Sequence, residues 1–530
     1  MQNIVEENTE PNPMYENPPR YAGILFHITS LPGPYGIGDL GSTARSFADF
    51  LAAAGVGLWQ ILPLGPIGYG SSPYAARSSF AGNELLISPD MLAADGLIKE
   101  AELAELRKTM AQTKADAGVN RVDYGLVEKH KLSLLRKAAR RFAQAAGPDN
   151  SDFEAFCKRE AYWLEDYAIF QLLCEDYYDA RWHTVWDRAI AKREKEALDK
   201  LRKEKAAEIH DWKILQYFFE RQWQELKTYV NGKGIRIIGD IPIFTAADSA
   251  DTWSRIDLFK TDDDGNYTFV SGVPPDYFSS TGQLWGNPVY DWEKMKADGY
   301  SWWTDRIRHL LSQVDLFRID HFRGFDAYWS VPAGNQTAEH GTWEDGPGAD
   351  LFLALEKKLG KLPIIAEDLG LVTESVVKLR DDLGFPGMKV CQFGFEVTKD
   401  GVLNARHLFL PHNYSYPWAA YTGTHDNDTT AGWYTSLDRD DRRIVAAYFN
   451  CNEEAEPADI AWAMIRAIAS SYAEYAIYPL QDLLGLGREA RFNTPSTCNG
   501  ENWSWRLWEI PGKELARRFS FMMSLFGRRN

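Results

Sequence analysis

The sequence predicts an α/β fold, a (β/α)8 TIM barrel with a helical insertion after the second strand and a loop-rich insertion after the third. Eight short, almost continuously apolar runs are each bounded by Gly, Pro, Asp or Asn, which is typical of parallel strands buried on both faces. Segments with helical periodicity separate several of these runs, and charged residues stand where four of the runs end. Strands that alternate with helices predict a closed barrel.

The elements follow from the apolar runs in chain order. The predicted strands are residues 22–29, 57–64, 236–243, 316–323, 363–369, 387–393, 421–426 and 475–484. Helical periodicity predicts helices over 42–54, 302–313, 373–383 and 461–476. The gaps between the strands are uneven, so the barrel is expected to carry insertions.

Shifts in composition divide the chain. Residues 1–20 are acidic and Pro-rich and are expected to form a mobile tail, and residues 21–90 carry the first part of the barrel. Residues 91–225 are rich in Ala, Glu, Lys, Leu and Arg, which predicts a helical insertion subdomain. The rest of the barrel occupies 226–530. Within it, about 261–300 is irregular and rich in Gly, Pro, Asp and aromatic residues, as functional lids often are.

Charge and composition exclude several classes of function. The chain has 530 residues, and 58 basic against 75 acidic side chains give a net charge of −17, which would repel a nucleic-acid backbone. There is neither an apolar run long enough to span a bilayer nor a secretory or transit sequence, so we expect a cytoplasmic protein that binds no membrane. Five cysteines without a CxxC pair are typical of reduced thiols.

The common cofactor and metal motifs are absent or incomplete. The chain has no Walker A loop, HExxH or GxSxG sequence, and its one GxGxxA stretch, at 485–490, does not lead into a helix. The segment TDDDGNY at 261–267 resembles half of a calcium loop but lacks acidic residues at the first and last ligand positions. We therefore expect no metal and no cofactor.

Charged residues cluster where four predicted strands end, at the face on which barrel enzymes carry their active sites. They are Asp240, Arg318, Asp320, Glu367, His425 and Asp426. Arg318 and Asp320 are two positions apart in a strand, so both side chains point to the same face. A neighbouring Arg keeps a carboxylate ionised, as a nucleophile must be, whereas Glu367 follows the apolar run Pro-Ile-Ile-Ala, where burial could raise its pKa.

Two carboxylates in different environments are the usual equipment for cleaving a glycosidic bond, since one attacks the anomeric carbon and the other protonates the leaving oxygen. The chain also has 13% aromatic residues, whose faces stack on sugars as readily as they fill a core. For any single acidic residue taken alone, a structural ion pair is the favoured interpretation. Four charged strand ends in one barrel together favour a glycoside-active enzyme.

With these motifs the chain resembles the amylomaltase family, also called 4-α-glucanotransferases or disproportionating enzymes, which are relatives of the α-amylases. The resemblance runs from about Gly23 to Arg506. It is carried, in order, by GIGDLG, WQILPLGP, SSPYAARSSFAGN, GDIPIF, DSADTW, PPDYFSSTGQLWGNPVY, FRIDHFRGF, IIAEDLG, TGTHDNDT and NTPSTCNGENWSWR. Each motif alone is weak, but their combination and order are specific.

The resemblance implies a role for each site residue. Asp320 would be the nucleophile, Glu367 the general acid/base, and Asp426 would hold the sugar hydroxyls in the distorted transition state. The implied substrate-binding residues are Arg318 and His425, which position Asp320 and the substrate; Asp240 and His321, which shape the donor pocket; Tyr74, Trp285 and Asn493, which bind donor or acceptor; and Tyr277 and Phe278, which form an aromatic loop over the acceptor sites.

The implied reaction is a retaining double displacement on α-1,4-glucans and maltooligosaccharides, with another glucan or glucose as acceptor and no cofactor. If the enzyme retains configuration, the two catalytic carboxyl groups should lie about 5–5.5 Å apart. Two alternatives remain open at this point, a plain α-glucan hydrolase with the same carboxylates and a non-catalytic carbohydrate-binding protein. Intramolecular transfer, which would give cyclic glucans, also remains open, as does the oligomeric state.

Overall fold

The computed structural model describes residues 18–111, 120–145, 150–275, 279–398 and 401–530. Twelve strands lie within these ranges. They are β1 (Tyr21–Leu25), β2 (Leu58–Gln60), β3 (Arg236–Pro242), β4 (Phe269–Val273), β5 (Gln283–Pro288), β6 (Leu316–Asp320), β7 (Ala327–Pro332), β8 (Thr342–Asp345), β9 (Ile364–Ala366), β10 (Gly387–Val390), β11 (Trp418–Tyr421) and β12 (Tyr475–Pro479).

Eight of these strands form a parallel barrel, which confirms the predicted fold class. Their order is β10-β11-β12-β1-β2-β3-β6-β9. The two end strands also meet, because the N–H of Ala366 in β9 donates to the carbonyl of Pro386, just before β10, at 2.8 Å. The barrel is therefore nearly closed, and the carboxyl ends of all eight strands face one mouth.

Helices surround the barrel and fill the connections. Those in the described ranges are α1 (Ser42–Ala53), α2 (Pro89–Ala94), α3 (Glu100–Ala111), α4 (Tyr124–Val127), α5 (Ser133–Ala145), α6 (Ser151–Arg159), α7 (Leu164–Tyr177), α8 (Trp182–Val185), α9 (Arg188–Ala191), α10 (Lys195–Glu204), α11 (Ala206–Asn231), α12 (Ala250–Ser254), α13 (Trp292–Ala297), α14 (Ser301–Gln313), α15 (Gly348–Leu359), α16 (Glu374–Asp382), α17 (Thr430–Ser436), α18 (Arg439–Tyr448), α19 (Pro457–Ser470), α20 (Leu480–Leu483) and α21 (Lys513–Leu525). No helix among them is both long and apolar enough to cross a membrane.

The interior of the barrel is packed with side chains, and each strand contributes at least one. They are Leu25, Leu58, Ile238, Leu316, Ile365, Met388, Ala419, Tyr421 and Ile477. One polar contact crosses this interior, since the Tyr421 hydroxyl of β11 donates to Gln60 Oε1 of β2 at 3.0 Å. The barrel is thus a solid core that supports the residues at its mouth.

Helices α2 to α11 lie between β2 and β3, and the 26-residue α11 holds the loop that follows β2. The Gln216 side chain exchanges two 2.8 Å hydrogen bonds with the backbone of Gly82. Gln222 does the same with Ser88 farther along the helix, at 2.7 and 3.2 Å. Only glycine fits at position 82, because a Cβ there would lie 2.0 Å from the Phe219 ring. The loop is therefore anchored along its length.

Several predicted elements differ from the structure; the strand predicted at 475–484, for example, is β12 only as far as Pro479 and continues as α20. The strand predicted at 421–426 is instead β11, which ends at Tyr421, because Thr422 and Gly423 begin a loop. The helix predicted at 461–476 is α19, which begins at Pro457 and ends at Ser470. The segment 261–300, predicted as irregular, contains β4 and β5, which join β7 and β8 in an antiparallel sheet of order β5-β4-β7-β8.

The opposite end of the barrel is closed by the residues that follow α21. The buried Arg528 guanidinium donates to five backbone carbonyls around the starts of β1 and β12, those of Tyr21, Ala469, Ser471, Ala473 and Glu474. Asn530 bonds the carbonyls of Gly55 and Gly234, near the starts of β2 and β3. Hydrogen bonds from one short segment thus tie four strands together at this end.

Candidate functional site

A buried arginine joins two carboxylates at the barrel mouth. Asp240 of β3 and Arg318 of β6 are directly paired across adjacent strands. Arg318 Nη1 lies 2.9 and 2.8 Å from the two Asp240 oxygens, and Nη2 donates to Asp320 Oδ1 at 2.7 Å. Arg318 and Asp240 are buried, but the Asp320 side chain is 30% exposed. The ion pair with the arginine therefore orients the Asp320 carboxyl group at the open mouth.

Glu367 follows β9 directly, and its carboxyl group accepts two backbone N–H groups. His321 N donates to Oε2 at 2.7 Å and Leu369 N to Oε1 at 2.9 Å. His321 reaches this position in the left-handed backbone region, with φ of +53°. Burial raises the pKa of Glu367 to about 7; the charge of Asp320 adds to the rise and that of Arg318 opposes it. Glu367 can therefore both give and take a proton near neutral pH.

The His321 side chain lies against an exposed aromatic ring. The Trp285 indole of β5 meets the imidazole edge-on, with ring centroids 4.8 Å apart and planes at 83°. Burial lowers the pKa of His321 to about 4, so its ring is neutral at neutral pH. Trp285 is 39% exposed and offers the mouth an apolar face.

The sequence predicted His425 and Asp426 at the end of a strand. In the structure they lie in the loop that follows β11. Both ends of this loop are bound by the buried carboxylate of Asp482, in α20. The Thr422 hydroxyl donates to Asp482 at 2.5 Å, and the N–H and hydroxyl of Thr430 donate to it at 2.7 and 2.8 Å. One carboxylate thus fixes the two points between which the loop projects.

Asp426 projects from that loop with its side chain 45% exposed. Its Oδ1 accepts a 2.7 Å hydrogen bond from Asn493 Nδ2, and its Oδ2 lies 3.5 Å from His425 Nε2. The carboxylate is therefore oriented from two sides while part of it remains open to a ligand.

Tyr74 connects this loop to the buried arginine. Its hydroxyl donates to Asp240 Oδ2 at 2.9 Å, and its ring stacks on the His425 imidazole with centroids 5.0 Å apart. The Trp503 indole packs against both rings, at 5.7 Å from Tyr74 and 5.8 Å from His425. Three aromatic rings thus form one wall of the mouth.

The structure brings ten of the twelve site residues predicted from sequence into one connected group. They are Tyr74, Asp240, Trp285, Arg318, Asp320, His321, Glu367, His425, Asp426 and Asn493. The other two, Tyr277 and Phe278, lie outside the described residues. In the described parts of the chain no group of three or more His, Cys, Asp or Glu side chains is arranged to hold a metal ion.

Three further residues contact the site without having been predicted for it: Asp482, Trp503 and Arg491, whose guanidinium donates to the Asp426 carbonyl at 2.5 Å. Trp503 lies within the motif NTPSTCNGENWSWR and Arg491 just before it, but nothing in that motif shows which way a side chain faces. Asp482 follows the last strand and belongs to none of the motifs quoted above. The only signal was an acidic side chain in an apolar stretch, YPLQDLL, since a buried acid needs partners.

The arrangement places two carboxyl groups in the two different environments that cleavage of a glycosidic bond requires. Asp320 is held by an arginine and faces the mouth, whereas burial raises the pKa of the neighbouring Glu367 to about 7. Aromatic faces and a third carboxylate surround them, as expected where a sugar ring and its hydroxyl groups are bound.

Known proteins similar to this chain are glucan-transferring enzymes. The sequence profile of a family described as 4-alpha-glucanotransferase matches residues 26–510. A 4-alpha-glucanotransferase of Synechocystis is 46% identical over 518 residues, which cover 96% of this chain and 98% of the relative. One from Thermus thermophilus is 45% identical over 505 residues, covering 93% of this chain and 96% of the relative.

Solved structures show the same likeness. The amylomaltase of Streptococcus agalactiae, determined in complex with acarbose, superposes with a TM-score of 0.90 at 37% identity. The match covers 96% of this chain and 100% of that one. The overall fold of this chain is therefore shared with that amylomaltase over almost its whole length.

Proposed function

Because the chain belongs to the 4-alpha-glucanotransferase family, we propose that it transfers a segment of an α-1,4-glucan to the 4-hydroxyl of another glucan or of glucose, by a retaining double displacement. The observation that carries this proposal is the contrast between Asp320 and Glu367. Asp320 is paired with Arg318, whereas the pKa of Glu367 is raised to about 7 by burial. These are the states that a nucleophile and a general acid need.

In the first step, an Asp320 oxygen attacks the anomeric carbon of the donor glucan. The bond from that carbon to the glycosidic oxygen breaks, and Glu367 gives its proton to the departing oxygen. The products are a glycosyl ester on Asp320 and a shortened glucan with a free 4-hydroxyl. Arg318 binds Asp320 Oδ1, so it orients the nucleophile before attack.

In the second step, Glu367 is a carboxylate and removes the proton from an acceptor hydroxyl. The acceptor oxygen attacks the same carbon and releases Asp320 with its original charge. A glucan or glucose acceptor gives a longer chain, and water gives hydrolysis. Repeated transfer among maltooligosaccharides would redistribute their lengths, and no step needs a cofactor.

Asp426 would bind hydroxyl groups of the reacting sugar and favour its oxocarbenium-like form. Its exposed side chain and the Asn493 bond to Oδ1 support this role, because an oriented carboxylate accepts hydrogen bonds that strengthen as positive charge develops. Tyr74 and His425 would line the same sugar through their stacked rings, and Asp240 and His321 would complete the pocket.

Trp285, together with Tyr277 and Phe278, would cover the acceptor side and exclude water from the glycosyl ester. Phe278→Ala or Tyr277→Ala should therefore raise the ratio of hydrolysis to transfer. Hydrolysis creates new reducing ends and transfer does not, so the increase in reducing ends measured against the longer oligosaccharides formed gives that ratio. An unchanged ratio in both variants would remove these two rings from the acceptor site.

The central test incubates the protein with maltotriose alone and follows the products by chromatography. Transfer gives glucose together with a ladder of longer maltooligosaccharides, whereas hydrolysis gives only fragments no longer than the substrate. Asp320→Asn should abolish both products while leaving the melting temperature near that of the wild type. A variant that kept its rate would overturn the assignment of the nucleophile.

An activated donor separates the two carboxylates. α-Maltosyl fluoride carries a leaving group that needs no proton, so Glu367→Gln should still form the glycosyl ester from it. Asp320→Asn should remain inactive with the same donor because the attacking group is missing. If both variants responded alike, the division of roles would be wrong.

A further inference from the structure

We propose that Arg491 is a positioning residue that holds Asp426 in place for the transfer reaction, and this inference rests on the role given to Asp426 above. Asp426 is carried by a loop, so the barrel strands do not fix it directly. Asp482 holds only the two ends of that loop. The centre of the loop, where Asp426 lies, is held by Arg491.

Arg491 binds the backbone of both members of the Asp426–Asn493 pair. Its Nη2 donates to the Asp426 carbonyl at 2.5 Å, and its Nε donates to the Asn493 carbonyl at 2.6 Å. The Asn493 side chain in turn donates to Asp426 Oδ1 at 2.7 Å. The three bonds form a closed ring, in which one planar guanidinium sets the spacing of the two backbones and the side chains complete the contact.

The segment that carries Arg491 is itself firmly anchored. Phe492, between Arg491 and Asn493, is buried and packs near Phe26 and Trp505, with ring centroids 6.3 and 6.0 Å away. A core residue thus fixes the guanidinium relative to the barrel. The guanidinium then transmits that position to the Asp426 backbone, the half-exposed part of the loop.

Another arginine of the same segment does not do this. Arg488 Nε donates to the Asp428 side chain at 2.8 Å, but its own side chain is 70% exposed and reaches no atom of Asp426. Arg491 therefore holds the backbone of Asp426, whereas Asn493 and His425 orient its carboxylate. Misplacement of a group that acts in the transition state by about 1 Å can cost roughly 100-fold in rate.

The test compares Arg491→Met with Arg20→Met. Arg20 is a matched control because it also bonds two backbone carbonyls, those of Ser471 at 3.0 Å and Phe526 at 2.7 Å, at the opposite end of the barrel. Arg491→Met should lower kcat for glucose release from maltotriose by roughly 100-fold and leave KM within about threefold. Arg20→Met should lower the melting temperature and leave both constants unchanged. Arg491→Lys, which can still bond one carbonyl, should fall between Arg491→Met and the wild type.

A double variant shows whether Arg491 acts through the pair. If it does, Arg491→Met in an Asn493→Ala background should cost several-fold less than in the wild type, because the contact it supports is already lost. Losses that simply multiply, or an Arg491→Met variant that behaves like Arg20→Met, would overturn the proposal. Glucose release occurs in both transfer and hydrolysis, so the result can be read even if the wild type proves to transfer poorly.

Discussion

The raised pKa of Glu367 predicts that this residue makes the protein less stable as the pH rises, and Glu367→Gln measures the effect. An unfolded glutamate loses its proton near its ordinary pKa of 4.5, whereas in the folded protein burial raises the pKa of Glu367 to about 7. Between these values the folded state binds more protons than the unfolded state, so the free energy of unfolding falls as the pH rises. Below the unfolded pKa the effect disappears.

The size of the effect follows from the two pKa values. Over the whole interval between the two pKa values, the free energy of unfolding falls by about 3 kcal/mol, and about 2 to 3 kcal/mol of this loss occurs between pH 5 and pH 8. These values are upper bounds, because the carboxyl group is partly in contact with solvent. A chain of this length unfolds with an entropy of about 1 kcal/mol per kelvin, so the corresponding change in melting temperature is about 2–3 °C.

Glutamine cannot titrate, but it disturbs the two backbone hydrogen bonds that Glu367 accepts from His321 and Leu369. One N–H would face the amide nitrogen, at a cost of about 1–3 kcal/mol at every pH. The prediction therefore concerns the difference between variant and wild type. Glu367→Gln should gain about 2–3 °C relative to the wild type on going from pH 5 to pH 8.

Thermal melts at both pH values, at one scan rate, give this difference directly. Glu105→Gln supplies a control in which the same carboxyl group is replaced by an amide at an exposed position of α3. The reasoning would be refuted if the Glu367→Gln difference stayed constant between pH 5 and pH 8, or if it moved in the opposite direction.

Three further predictions concern catalysis. The kcat/KM for maltotriose should fall above about pH 7, where Glu367 loses its proton, and a profile without an alkaline limb near this pH would place the general acid elsewhere. Tyr74→Phe keeps the ring but removes the bond to Asp240, so kcat/KM should fall about tenfold, and an unchanged value would mean that the bond does not support the site. Trp285→Ala removes the ring that faces His321 and should raise KM about tenfold, with Trp285→Phe between; equal KM values for all three proteins would contradict a sugar contact there.

The barrel could be predicted because its strands are buried on both faces and therefore read as apolar runs. The runs ending in Asp320 and Glu367 were predicted for this reason, and so were the positions of both carboxylates at the mouth. The resemblance to amylomaltases is likewise confirmed by the family match and the related structure. A buried parallel strand and the residue at its carboxyl end can both be recognised within one short segment of sequence.

The antiparallel sheet could not be recognised in the same way. Strand β5 is only partly buried and contains Trp285, Gly286 and Asn287, so it lacks both an apolar run and a clear alternation. Its partner β4 is paired on the other side with β7, which lies more than 50 positions later in the chain. Such strands are specified by their neighbours, and a single segment of sequence does not show them.

The placement of Asp426 was wrong for a related reason. The apolar residues of β11 end at Tyr421, and the Thr-Gly-Thr that follows has the composition of a strand end but forms the start of a loop. The contacts that hold this loop come from Asp482 and Arg491, about 60 and 65 positions later in the chain. A contact across that distance leaves no periodic signal in either segment.

Because Arg528 makes its hydrogen bonds around the starts of β1 and β12, the stability of this enzyme can be engineered at one end of the barrel and its activity at the other. Substitutions at that end of the barrel alter how firmly the strands are held, at the end away from the carboxylates of the mouth. Laboratory evolution for heat tolerance can therefore concentrate its libraries on the residues around Arg528, where gains in stability need not be traded against turnover. Libraries aimed at product length belong at the opposite mouth.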